Sequence, residues 1–111
     1  MVPKVSVTII TLNEAAHVAG AIDSARWADE ILVVDCGSTD GTADIARGKG
    51  AVVVCREWSG YVDQKNFAAE RAANDWSFSL DADERITPAL AAEIRALVAV
   101  EPPRRGDRVP R

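Results

Sequence analysis

Four short segments rich in apolar residues, the first of them largely β-branched, alternate along the chain with segments whose apolar residues recur at helical spacing. The apolar segments lie at residues 5–10, 30–34, 51–55 and 76–80. Strands that are apolar on both sides, each followed by a helix, are typical of a parallel sheet with helices packed on its faces. The sequence therefore predicts an α/β fold with right-handed crossovers. We expect a Rossmann-like parallel sheet in the order 3-2-1-4, which is usual for such chains.

The segments between the strands are predicted to be helices. Gly48 and Gly50 would end the second helix, and Thr87 and Pro88 would cap and begin the last one. Residues 1–100 are expected to form one α/β domain. The Pro- and Arg-rich residues 101–106 read as a linker, and 107–111 as the start of a further strand. The first predicted helix covers about 14–26. The second follows the polar turn 35–42 and ends at about 47, and the third covers about 62–74. The last helix has Leu90, Ile94, Leu97 and Val98 on one face.

Three carboxylates follow the fourth strand within four residues, at Asp81, Asp83 and Glu84. Such a concentration of negative charge at the end of a buried strand is costly unless a cation balances it. Oxygen ligands of this kind suit Mg2+ or Mn2+, which retain water and accept substrate phosphates as further ligands. A metal–diphosphate site is one interpretation. The other is a solvated acidic cluster ahead of the helix that begins near Pro88.

Two more polar clusters are expected at the same edge of the sheet. In the predicted order, the ends of strands 2, 1 and 4 lie side by side, about 5 Å apart per step. Thr11, Asn13 and Glu14 follow strand 1, and Asp35 ends strand 2. Their convergence predicts a ligand crevice at the carboxyl ends of the strands. Asp35 could accept a hydrogen bond from a ribose hydroxyl or a base N–H, or it could be a turn residue.

The turn after strand 1 contains no glycine, so neither a Gly-x-Gly-x-x-Gly motif nor a Walker loop is present to bind phosphates. A metal would then have to neutralise them. Lys65, on the helix before strand 4, is the basic residue best placed to reach a phosphate, although a solvated helix lysine is the commoner case. Trp58 and Tyr61 could stack on a base or a sugar, or pack locally.

Composition excludes several function classes. The formal net charge is -4, and no basic stripe is interleaved with aromatic residues, which argues against a nucleic-acid surface. The single histidine, His17, argues against a His-based zinc site or a Ser-His-Asp triad within this chain. Cys36 and Cys55 are expected to be reduced thiols. With no apolar run of membrane-spanning length and no signal-peptide pattern, we expect a cytoplasmic location, including the inner face of the membrane.

Three segments together resemble the family 2 inverting glycosyltransferases, which have the GT-A fold. They are Val5–Glu14, Val33–Thr42 and Leu80–Glu84. The stretch 58–66, taken with Asp-Ala-Asp-Glu, is most similar to the lipopolysaccharide core β-glucosyltransferase branch. The resemblance covers nearly the whole chain. It implies a nucleotide-sugar donor, usually UDP-linked, a divalent metal, and a glycan or lipid-linked acceptor, with possible peripheral association with a membrane.

The resemblance also implies roles for individual residues. Asp81 would approach the ribose and the metal, and Asp83 would bind the metal at the diphosphate. The nucleoside pocket would be lined by Thr11, Asn13, Glu14 and Asp35.

The resemblance implies, further, that the catalytic base lies elsewhere. In this family the general base and most of the acceptor site belong to the second half of the domain. We therefore expect the base beyond Arg111, and no residue of this chain is assigned to that role.

Three functions stay open at this point. The first is the donor half of a glycosyltransferase, which by itself would be inactive and would self-associate through an open sheet edge. The second is a nucleotide-sugar-binding module without turnover. The third is a nucleotidylyltransferase, which ranks last because the first loop is neither glycine-rich nor basic.

Overall fold

The structure, a computed structural model, describes residues 3–100 and 107–108. Its strands are β1 (Val5–Thr11), β2 (Glu30–Asp35), β3 (Val52–Cys55), β4 (Trp76–Asp81) and β5 (Asp107–Arg108). Its helices are α1 (Val18–Ser24), α2 (Thr42–Gly48), α3 (Tyr61–Arg71) and α4 (Pro88–Val100).

All strand pairs are parallel, and the sheet has the order β3-β2-β1-β4-β5. The predicted α/β class and the order 3-2-1-4 are therefore confirmed. The prediction of a further strand is met at residues 107–108, which pair with Phe78 and Ser79 of β4. That pairing covers part of the edge that we expected to lie open.

Two predictions about the end of the chain fall outside the described residues. One is the linker at 101–106, and the other concerns Arg111, beyond which we expected the general base. The structure therefore tests neither of them, and the position of the base stays a prediction.

The register brings the carboxyl ends of the three inner strands level with one another. Thr11 of β1 pairs with Asp35 of β2, and Ile10 pairs with Asp81 of β4. The residues of the three predicted polar clusters lie at or just after these strand ends, so they are found at the same edge of the sheet.

The core has two parts, one on each face of the sheet. The larger part packs α1 and α4 on the sheet, and within it Trp76 and Phe78 stack with ring centroids 5.7 Å apart. The smaller part packs α3 on the other face, where the small side chains of Ala68 and Ala72 let the helix approach Leu32 and Val34. α3 is thereby held close to the carboxyl ends of β1 and β4. Across residues 3–100 and 107–108, every helix is too short or too polar to cross a membrane.

The predicted start of α1 at residue 14 is wrong, because the helix begins at Val18. Residues 13–15 instead donate their backbone N–H groups to side chains of the loop after β2. The acceptors are Ser38 Oγ for Asn13 at 2.8 Å, Thr42 Oγ1 for Glu14 at 3.0 Å and Asp40 Oδ2 for Ala15 at 3.1 Å. Asn13 also has a left-handed φ of 54°, so the helix cannot extend back through it.

Two other helix predictions need correction. α3 ends at Arg71 rather than Asn74, because the N–H of Ala73 donates to Glu30 Oε1 at 2.9 Å instead of continuing the helix. On α4, Leu97 is 40% exposed, and the buried positions are Ala91, Ile94 and Val98. The buried stripe of α4 is therefore narrower than the apolar pattern of the sequence indicated.

Candidate donor site

Asp35 lies at the centre of the loop network at the carboxyl edge and is only 2% exposed. Its Oδ1 accepts from Thr11 Oγ1 at 2.8 Å and from Ser38 Oγ at 2.6 Å. Its Oδ2 accepts from the N–H groups of Gly37 at 3.2 Å and Ser38 at 2.9 Å. Burial would raise the pKa of this carboxyl, but the hydrogen bonds from Ser38, Thr11 and Gly37 outweigh burial and lower it. The four bonds account for the usual acceptor capacity of a carboxylate.

The segments after β1 and β2 form one ordered rim. Asn13 Oδ1 accepts from the N–H of Thr39 at 2.8 Å, while Asp40 accepts the N–H of Thr42 at 3.1 Å and also its hydroxyl. The Thr42 hydroxyl is the main reason that the pKa of Asp40 is lowered. Gly37, with a φ of 98°, permits the turn that brings this loop over β1. The exposed Asn13 and the buried Asp35 therefore both hold the rim together through hydrogen bonds to the loop after β2.

Beside this rim lies an open pocket of about 360 Å³, within the usual size range of small-molecule sites. Leu12, Trp58 and Tyr61 give it exposed apolar walls. The Trp58 and Tyr61 rings lie 6.4 Å apart and are inclined by 35°. Flat aromatic walls of this kind suit a planar base or the apolar face of a sugar. The remaining lining residues are Ile10, Thr11 and Glu14.

The aromatic wall is held by a network that the sequence analysis missed. Arg56 donates to Ser59 Oγ at 2.7 Å, to Asp63 Oδ2 at 3.2 Å and to Gln64 Oε1. Gln64 is fully buried and donates to Cys36 Sγ at 3.0 Å. The network ties the loop before α3 to the end of β2. Its one signal in the sequence is Gln64 itself, a polar residue four positions before the buried Ala68 and thus on the same helix face.

Next to the aromatic wall, the first turn of α3 meets the end of β4. The Tyr61 hydroxyl donates to Asp81 Oδ1 at 2.5 Å, and Lys65 Nζ lies 4.3 Å from the centroid of the Tyr61 ring. The N–H of Asp81 donates to Glu84 Oε1 at 2.9 Å, and the N–H of Glu84 donates to the Asp81 carbonyl at 2.9 Å. Asp83 is exposed at the tip of this turn. Lys65 and Asp81 are thus brought together through Tyr61.

Arg85 fixes the acidic turn against α1. Its guanidinium donates to the carbonyls of Ala82 at 2.9 Å, Glu84 at 2.7 Å and His17 at 3.2 Å. Gly20 makes room for it, since a Cβ at that position would lie 2.6 Å from the guanidinium. The turn that carries Asp83 is therefore held by contacts outside the acidic cluster.

A cation would have to be held jointly by protein and ligand. Within residues 3–100 and 107–108, the side chains of His, Cys, Asp and Glu form no group of three or more that could hold a metal ion. Asp81 and Asp83 offer carboxylate oxygens at the end of β4, where Asp81 contacts the pocket residue Tyr61. Mg2+ typically uses one or two carboxylates together with substrate phosphates. These donors fit a metal that is completed by a diphosphate.

Comparison with known proteins identifies relatives on both sequence and structure. An uncharacterized glycosyltransferase of Rickettsia felis is 47% identical over 97 residues, which are 86% of this chain and 34% of the relative. The lipopolysaccharide core biosynthesis glycosyltransferase LpsC of Rhizobium meliloti is 41% identical over 106 residues, or 89% and 39% of the two chains. The chain thus spans between a third and two fifths of the length of these relatives.

Two solved structures share the fold. Glucosyl-3-phosphoglycerate synthase from Mycobacterium tuberculosis, crystallised with Mn2+, UDP and glucosyl-3-phosphoglycerate, superposes with a TM-score of 0.76 at 27% identity, covering 88% of this chain and 40% of the enzyme. Mannosyl-3-phosphoglycerate synthase from Rubrobacter xylanophilus superposes with a TM-score of 0.74 at 32% identity, covering 90% and 37%. The family model for glycosyl transferase family 2 matches residues 6–101. The chain therefore belongs to glycosyltransferase family 2, as its motifs implied, and it corresponds to the N-terminal part of these GT-A enzymes.

Proposed function

We propose that this chain forms the donor site of an inverting glycosyltransferase that binds a nucleotide-diphosphate sugar, a UDP-hexose, together with Mg2+ or Mn2+. The observation that carries the proposal is the open pocket at the carboxyl edge, whose aromatic wall includes Tyr61, together with Asp81, which accepts a hydrogen bond from the Tyr61 hydroxyl. Flat apolar walls suit a base or a sugar, and a carboxylate next to them suits the divalent cation that would neutralise a diphosphate.

The nucleoside occupies the pocket between the end of β1 and the loop before α3. Thr11 and Glu14 face it from one side, and Trp58 and Tyr61 face it from the other. Asp35 lies one strand away and acts chiefly by ordering the rim, because its oxygens already accept four hydrogen bonds. Asn13 acts in the same way through Thr39. The relative from M. tuberculosis, whose structure contains UDP, supports uridine as the base.

The diphosphate lies toward the end of β4. Asp81 and Asp83 are the residues that would hold the metal, and Lys65 would contribute a positive charge from the first turns of α3. When bound, a divalent metal stabilises the negative charge that develops on the departing diphosphate.

Inverting transfer also needs a base that takes the proton of the attacking hydroxyl. No residue in the described part of the chain is assigned to that role. We propose that the base belongs to the part of the enzyme beyond Arg111, because the chain spans only 34% and 39% of the length of the two relatives. Sugar transfer is accordingly proposed for the whole enzyme, and donor binding for this chain.

We further propose that the acceptor is a glycan or lipid-linked sugar of the lipopolysaccharide core. The support is the 41% identity to LpsC, which is named for that pathway step. We propose accordingly that the protein acts in the cytoplasm, at the inner face of the membrane. Fractionation of cells tests this location, since recovery of the full-length protein outside the cytoplasmic and inner-membrane fractions contradicts it.

Calorimetric titration of the 111-residue chain with UDP tests donor binding. We expect heat of binding in Mn2+ that falls strongly in EDTA. Asp83→Asn should weaken binding in Mn2+ by about 1–3 kcal/mol, the range for losing a charged partner. Asp44→Asn is the matched control, because its side chain is 87% exposed on α2, where it pairs only with Arg47 among the contacts described. Equal heats in Mn2+ and EDTA would overturn the proposal.

A further inference from the structure

We propose that Tyr61 is a positioning residue that orients the carboxylate of Asp81 for the metal–diphosphate part of the donor site. The inference rests on the proposed function, since it assumes that Asp81 meets a metal and a diphosphate. It adds a role for a residue whose sequence context suggested only stacking. The carrying observation is the 2.5 Å hydrogen bond from the Tyr61 hydroxyl to Asp81 Oδ1.

Two independent contacts fix Asp81. Glu84 holds its backbone, by accepting the Asp81 N–H at 2.9 Å and by donating its own N–H to the Asp81 carbonyl at 2.9 Å. Tyr61 holds its side chain from a different element, the first turn of α3. The contacts with Glu84 fix the position of the Asp81 backbone, and the Tyr61 hydroxyl orients the side-chain carboxylate.

Tyr61 is itself held in place by contacts to its ring. Lys65 Nζ lies 4.3 Å from the ring centroid, a distance typical of a cation–π contact. The Trp58 ring lies 6.4 Å away on the same wall of the pocket. Gly60, with a φ of 102°, begins α3 at the point that lets the ring face the pocket while the hydroxyl reaches β4. A side chain held in this way can restrict the carboxylate that it contacts.

The ring and the hydroxyl of Tyr61 should therefore serve different parts of the ligand. The ring lines the pocket and contributes to nucleoside binding with or without a metal. The hydroxyl acts through Asp81, because it orients the carboxylate to which it donates. Outer hydrogen bonds to metal-ligating carboxylates typically change metal affinity by about 10–100-fold when they are removed. The hydroxyl should matter only when the metal is present.

The test compares UDP affinity in Mn2+ and in EDTA for the wild type and for Tyr61→Phe, which removes the hydroxyl and keeps the ring. We expect the ratio of the two affinities to fall about 10-fold in Tyr61→Phe, with the affinity in EDTA unchanged. Trp58→Phe is the matched control on the same wall. It should weaken UDP binding to a similar extent in both buffers and leave the ratio near that of the wild type. Urea unfolding of each variant verifies that it folds.

The outcomes separate this inference from the proposed function. A wild-type ratio of one overturns the proposed function. A wild-type ratio well above one with an unchanged or increased ratio in Tyr61→Phe overturns the positioning role alone. An increased ratio would mean that the hydroxyl competes with the metal for Asp81. Equal losses in both buffers for Tyr61→Phe would also overturn the role, because they would assign the hydroxyl to the nucleoside.

Discussion

Asp35→Ala is the substitution whose consequence follows most directly from the structure. It removes the acceptor of four hydrogen bonds. Thr11 is 1% exposed, so water cannot replace Asp35 as the acceptor of its hydroxyl. Leaving this hydroxyl unpaired costs about 1–3 kcal/mol. Gly37 and Ser38 are more accessible, so water can replace part of their loss. We expect the free energy of unfolding to fall by about 3 kcal/mol in total.

Urea unfolding at neutral pH measures this change, with equal m-values required for the comparison. For a domain of this size, the loss corresponds to a decrease in melting temperature of roughly 10–20 °C. Thr11→Val combined with Asp35→Ala provides a second comparison. That pair should cost less than the two single losses together, because the buried hydroxyl without an acceptor is gone. A loss below about 0.5 kcal/mol in Asp35→Ala, the size of an ordinary surface change, would refute the reasoning.

The difference in free energy of unfolding between the wild type and Asp35→Ala should depend on pH with a definite sign. The pKa of Asp35 is lowered in the folded state, so its ionised form contributes stability above the unfolded pKa of about 3.9. That contribution is lost as the pH falls through the lower, folded pKa. The difference between wild type and Asp35→Ala should be constant from neutral pH down to about pH 5 and should then shrink. Lowered pKa values elsewhere, as at Asp40, affect both proteins and largely cancel. A difference that grows in acid would contradict this explanation.

Three further outcomes follow from the contacts around the pocket. Gln64→Leu should lower the free energy of unfolding by about 1–3 kcal/mol, because it leaves partners of a buried amide unpaired; an unchanged urea midpoint would contradict the role of the network. A thiol reagent should label the exposed Cys55 rapidly and Cys36 slowly, because burial raises the pKa of Cys36 and shields it; equal rates would contradict the packing. Gly20→Ala should displace the Arg85 guanidinium and weaken Mn2+-dependent UDP binding by calorimetry, whereas unaltered binding would show that the turn is held without it.

The sheet could be predicted because its determinants are local. Runs such as 5–10 and 30–34 are mostly apolar and rich in β-branched residues, and parallel connections leave few alternatives for their order. The start of α1 could not be predicted in the same way. Residues 13–15 have acceptable helical propensity, but their N–H groups bind side chains 25 to 28 positions away. Tertiary hydrogen bonds of this kind outweigh local propensity and leave no periodic signal.

The convergence of the polar residues at the carboxyl edge was predictable, whereas their internal contacts were less so. Strand ends place Thr11, Asp35 and Asp81 at one edge whatever the loops do. Whether a polar side chain faces a ligand or the rim depends on loop geometry, and Asp35 shows this with its four internal bonds. The contact between Tyr61 and Asp81 depends on where α3 begins relative to β4, which the sequence does not encode locally. The roles of these residues in binding remain predictions.

The central claim is that UDP and a divalent metal bind together at the carboxyl edge of the sheet. Mn2+ is paramagnetic, so it broadens the NMR signals of nearby amides and thereby locates itself. With UDP and substoichiometric Mn2+, we expect selective loss of the amide signals of Asp81, Asp83 and Tyr61. The amides of Lys4 and Asp29, at the amino ends of β1 and β2, should keep theirs. Without UDP the effect should be weaker, because the diphosphate completes the metal's ligands. Broadening centred on Lys4 and Asp29, or broadening indifferent to UDP, would contradict the claim.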